Sequence, residues 1–159
     1  MSPLALLISL LAGCGADPVQ EDVAAYHDAM TPLLAKNLVL AQGFLDVASK
    51  VKKGDTDAPQ IAERLASEIT PAADQLRAEA EKIEPVTPKL GEAHALLVRA
   101  WGDRAASYHA MSDAWAQNDP AAFDLARKKN LQSKLDEETF FQTVNTIAQP
   151  YGLLIDQYP

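Results

Sequence analysis

Nitrogen and sulfur side chains able to ligate a soft metal are few in this chain of 159 residues, which has three histidines, three methionines and one cysteine. His27 and Met30 lie three apart, so on a helix their imidazole and thioether would share a face, a pair suited to a soft ion such as copper. The same spacing also suits a core methionine beside a boundary histidine, which needs no metal. A di-iron carboxylate site requires Glu three residues before His on two helices. Here Ala24, Gly91 and Ala106 precede His27, His94 and His109 at that distance. A single cysteine excludes Cys-x-x-Cys-His haem attachment, and no His or Met follows Met111 to ligate haem from a last helix. Neither a Gly-x-Ser-x-Gly elbow nor a Gly-x-x-x-x-Gly-Lys phosphate loop occurs. The expectation is a protein that is not an enzyme and carries no cofactor.

One histidine stands apart from the others. His94 opens a row with Trp101, Tyr108 and Trp115, each seven residues on, which places all four along one helix face. A turn at Glu84–Thr87 would fold the preceding helix alongside, and Glu79, at a nominally inward position, is the expected hydrogen-bond partner of His94. Asn37 and Arg104 are two further polar residues on inward faces, where such groups set register at some cost in stability. The alternative for His94, Trp101 and Glu79 is an interior ligand or proton-transfer site. His109, off the seam, is expected in solvent. Glu79, Glu81 and Glu84, with Asp136, Glu137 and Glu138, read as solvated acidic faces able to hold divalent cations loosely.

Four amphipathic stretches position these residues. Asp17-Pro18 is a cap followed by a first-turn proline, and Val23, Tyr26, Met30, Leu33, Asn37, Leu40, Phe44, Val47 and Val51 then follow 3-4 spacing, widened by Leu34, Ala41 and Ala48. Lysines at 50, 52 and 53 and a turn at Gly54 end this helix. A second runs from about Ala58 to Glu84, with Ala62, Leu65, Ile69, Ala72, Leu76 and Ile83 inward. The third starts at Thr87-Pro88 and ends near Asn118. The fourth starts at Asp119-Pro120 and ends near Ala148, before an apolar tail expected to pack back. Period-two alternation is absent, so the expected fold is all-α: an antiparallel up-down-up-down four-helix bundle, kinked near Pro32 and Pro71. Between Arg127 and Thr139 only Leu131 and Leu135 are apolar, and basic residues precede acidic ones, against the helix dipole. That stretch is expected to dock a partner or to move.

Composition sets outer bounds. Hydrophobic residues are 48% of the chain, enough for one core. Fourteen basic against 22 acidic residues leave a net charge of -8, which repels phosphate backbones, so no nucleic-acid partner is expected.

The apolar run Leu4–Leu11 is too short to span a bilayer and is followed at once by small residues, the shape of a signal peptide. Cleavage before Cys14 or after Ala16, or a buried N-terminal element with an incidental cysteine, are the readings open from the residues alone. Leu11-Ala12-Gly13-Cys14 resembles the lipobox of bacterial lipoproteins. The resemblance implies a signal peptide at 1–13, a lipidated Cys14 with a short tether at 14–17, and a bundle at 18–159. Two or three acyl chains would hold such a domain at a membrane without a spanning helix. Gly15, where an inner-membrane retention aspartate would stand, favours the periplasmic face of the outer membrane. Ile83-Glu84-Pro85, Pro88, His94 and Asn118-Asp119-Pro120 are similar to a broad group of bacterial lipoproteins with helical-bundle domains, which implies architecture and no catalytic residues. The expected function is a lipid-anchored, non-enzymatic binding or interaction module with an envelope protein partner. The alternative is a metal or small-ligand carrier using His94 with Trp101, or His27 with Met30.

Overall fold

The computed structural model describes residues 17–53 and 58–156, all of whose regular elements are helical. Leu4–Leu11, Cys14 and the turn expected at Gly54 lie outside the described residues. Helix α1 spans Pro18–Lys53 and is capped as its sequence dictates, with the Asp17 carboxylate accepting from the Val19 N–H at 3.0 Å. Helix α2, residues 58–80, comprises Ala58–Arg64, one π turn at Leu65–Ile69, and Thr70–Ala80. Helix α3 is Pro88–Ala116 and α4 is Pro120–Ala148, each with proline in its first turn. Asp119 caps α4, its side chain accepting from the N–H groups of Ala121 and Ala122.

The two internal prolines behave differently. Helix α1 continues through Pro32, where Asp28, whose carbonyl loses its donor, lies on the exposed face and is open to solvent. At Pro71 the ring crowds the preceding turn, and that turn widens: the Thr70 N–H reaches back five residues to the Leu65 carbonyl. The extra residue rotates the remainder of the helix. Ile61, Leu65, Ile69 and Ala73 are buried at four-residue steps and the face continues through Leu76 and Ala80, while Ala72, expected inside, is exposed. Ala48, expected to widen the α1 stripe, is also exposed. Helix α2 stops at Ala80 rather than Glu84: the chain tightens into i→i+3 bonds from Lys82 to Glu79 and from Ile83 to Ala80, and Pro85 has no N–H to give the Glu81 carbonyl and continue the ladder.

Helix α3 packs on both α2 and α4, most extensively on α4, whereas α1 lies against α2 and approaches α4 at few positions. Ala93, Ala100, Ser107 and Ala114, seven apart and buried, are small enough to let a neighbouring backbone come close. The core joins Tyr26, Met30, Leu65, Leu90, Leu97, Trp101, Tyr108, Met111, Phe140 and Val144. After a short 3-10 turn at Gln149–Tyr151, Gly152 takes a left-handed conformation (φ 71°) that turns the chain back, as expected of the tail. Ile155 is buried there, its backbone held by both ends of the Asn145 amide.

Candidate functional site

Four polar side chains from three helices meet in the middle of the fold. Asn37 lies on the inward stripe of α1, Trp101 and Arg104 are one turn apart on α3, and Glu137 comes from α4. Glu137 Oε1 accepts from Asn37 Nδ2 at 3.0 Å and from Trp101 Nε1 at 2.8 Å. Arg104 donates through Nη2 to Glu137 Oε2 and through Nη1 to Asn37 Oδ1. Asn37, Arg104 and Glu137 therefore close a ring of hydrogen bonds around a buried ion pair whose side chains are 4% and 5% exposed. Only the Arg104 Nε–H in this group is buried without a partner.

Beside the ring lies a cavity of about 190 Å³, lined by Asn37, Phe44, Arg104, Tyr108, Lys134 and Glu137 among others. The Tyr108 ring stacks at a tilt on Phe44, with centroids 4.7 Å apart. Burial pushes the Tyr108 phenol up to about 12, with the Glu137 carboxylate adding to the shift and the Arg104 guanidinium opposing it. Tyr108 is therefore a neutral hydroxyl at physiological pH. Three proton donors converge on Glu137, so its lone pairs are nearly all engaged.

His94 occupies a separate, uncharged pocket. Its Nε2 lies 3.0 Å from the Ala80 carbonyl, so Nε2 carries the proton and Nδ1 accepts from the Tyr26 hydroxyl, also at 3.0 Å. Burial lowers the His94 pKa, the Ala80 carbonyl partly opposing, and burial raises that of Tyr26. The expected Glu79–His94 hydrogen bond is absent. Glu79 sits at the edge of the α1–α2 contact, where Lys36 Nζ of α1 donates to it at 2.5 Å and Gln75 at 2.8 Å. The π turn explains the miss, because the residue it adds brings Ala80 inward in place of Glu79.

The remaining candidates are scattered. Met30 is wholly buried, while His27 is at the surface with Asp28 Oδ1 3.2 Å from its Nδ1, so the two share a helix turn but not an environment. His109 is exposed, as expected, and lies 2.9 Å from Asp74 Oδ2. Among the described residues, no group of three or more His, Cys, Asp and Glu side chains is placed to hold a metal ion. Cys14 lies outside the described residues.

Glu137 is the residue that sequence reasoning misplaced: expected on a solvated acidic face, it is the hub of the buried ring. The signal was present in the order Ala126, Asn130, Ser133, Glu137, Phe140 and Val144, a continuous 4-3-4-3-4 seam in which three members are polar. A search for apolar residues alone passes over it. Asn37 and Arg104, in contrast, are inward as expected.

Comparison with protein-family models, with curated proteins and with solved structures finds no match for this chain.

Proposed function

We propose that this chain is a bacterial envelope lipoprotein, lipidated at Cys14, whose helices form an antiparallel up-down-up-down bundle that serves as a binding or interaction module rather than an enzyme. The buried ring of Asn37, Trp101, Arg104 and Glu137 carries the functional part of this reading. The strongest polar groups of the interior are engaged with one another and hold three helices in register, leaving the surface for recognition. A groove of about 690 Å³ between α1 and α2, floored by Leu40, Gly43, Ile69, Ala72 and Leu76, offers such a surface.

Contacts between helix ends support the antiparallel order. Tyr151, just beyond α4, donates to Asp17 at the start of α1 with 3.1 Å between oxygens. Asp22 on α1 accepts from the N–H groups of Val86 and Thr87 at the start of α3. At the other end, the Trp115 and Phe123 rings meet at 5.2 Å across the α3–α4 connection. Among the described residues no helix is long and apolar enough to cross a membrane. Acyl chains at the lipobox-like Leu11-Ala12-Gly13-Cys14 would supply the attachment.

Intact-mass analysis of the protein made in a bacterial host tests the anchor. The expected product begins at Cys14, carries a diacylglyceryl adduct and partitions with membranes, and Cys14→Ser loses both the adduct and the cleavage before residue 14. An unmodified thiol on a chain retaining residues 1–13 would overturn the reading. Cross-linking in the intact envelope tests the module, with a partner expected on the α1–α2 groove and lost in Val39→Glu, a change at an exposed residue of the groove wall.

A further inference from the structure

Within Arg127–Thr139, α4 turns polar side chains inward and leucines outward. Asn130, Ser133 and Glu137 are buried, whereas Leu131 and Leu135 are 49% and 55% exposed. These leucines belong to a second seam on the outer face, formed by Asp124, Lys128, Leu131, Leu135, Glu138 and Gln142, all exposed and spaced 4-3-4-3-4. That is the repeat with which one helix packs along another.

The seam is complementary to its own reverse. Inverted end for end about position 133, it maps Leu131 onto Leu135, Lys128 onto Glu138 and Asp124 onto Gln142. In an antiparallel helix pair, each layer joins the first core position of one heptad to the second of the other. Leucine then meets leucine, and Lys128 of each copy meets Glu138 of the other. A parallel pair would set Lys128 against Lys128 and Glu138 against Glu138. Within one molecule the basic-then-acidic order opposes the helix dipole. Between two antiparallel copies it places each basic half beside an acidic one. Neither Lys128 nor Glu138 forms an ion pair among the described residues.

We propose that the outer face of α4 is a self-association surface, through which two copies of this chain pair antiparallel about a two-fold axis at the height of Ser133. Six seam positions along one helix bury less than the roughly 800 Å² per partner of a standard interface, so the pair belongs to the weak, transient class.

Sedimentation velocity of the full chain carrying Cys14→Ser, which removes both lipid and intermolecular disulfide, tests this from about 10 μM to about 1 mM. Monomer is expected at the low end and dimer at the high end. Lys128→Glu and Glu138→Lys each weaken the pair about tenfold or more, since each dimer contains the contact twice. The double reversal Lys128→Glu/Glu138→Lys restores it, an equimolar mixture of the two single variants pairs better than either alone, and Leu135→Ser abolishes it. All these positions are exposed, so circular dichroism and the urea midpoint should stay at the parent values and separate lost pairing from lost folding. A chain monomeric throughout, a dimer indifferent to both reversals, or a double reversal no better than the singles would overturn the proposal.

Discussion

Two buried polar clusters hold this fold together on different physical terms. The His94 pocket is neutral: a hydroxyl, an imidazole and a backbone carbonyl satisfy one another, and burial lowers the imidazole pKa so that it stays uncharged. The ring around Glu137 contains an ion pair removed from water and completed by an amide and an indole. A neutral cluster that loses one member leaves one polar group unpaired. A charged one leaves an uncompensated charge, which costs several times more. The middle of the molecule should therefore tolerate single changes less well than the end at which His94 lies.

The largest expected effect is at the charged ring. Arg104→Met or Glu137→Leu alone should destabilise by about 3–5 kcal/mol in urea unfolding, while Arg104→Met/Glu137→Leu together should recover most of the loss. A double variant as unstable as the sum of the singles would remove the claimed difference between the clusters. Tyr26→Phe, which strands only His94 Nδ1, should cost about 1–2 kcal/mol by the same measurement. Asp119→Ala gives a scale for both, since loss of an exposed helix cap costs about 1 kcal/mol.

A pH series sharpens the comparison further. The His94 pKa is depressed in the folded state, so below the ordinary histidine value of 6.5 the unfolded chain binds more protons. The corresponding stability is present above pH 6.5 and is lost as pH falls through the folded value. His94→Gln should flatten that part of the stability profile relative to the parent. An unchanged slope would mean that the pocket does not exclude the proton. The smallest effect is expected on the outer face of α4, where Leu131→Gln should leave monomer stability within about 0.5 kcal/mol.

Helix boundaries were legible where local chemistry decides them. Asp17-Pro18, Thr87-Pro88 and Asp119-Pro120 mark the starts of three helices because a proline in the first turn has no N–H to lose. The inward placement of Asn37, His94 and Arg104 followed from periodicity, because an unbroken helix keeps its faces. Glu79 and Ala72 were misplaced because the π turn before Pro71 adds one residue, and no spacing rule says whether a proline kinks a helix, widens it or, as at Pro32, leaves it unbroken. Tyr26 lay on the expected stripe, but its hydroxyl had no assignable partner until α1 was packed against α3.

Sequence alone thus determined the helical class, the starts of three helices and which face of α1 and α3 turns inward, since these depend on contacts within a few residues. Tertiary structure decided that Glu137 is a buried hub and Leu131 a surface residue, an inversion of the ordinary rule that polar side chains face water. An ionised carboxylate is tolerable in the interior only when Arg104, Asn37 and Trp101 arrive from other helices to replace its hydration. Those partners lie 33 to 100 residues away in the chain, so only packing could bring them together.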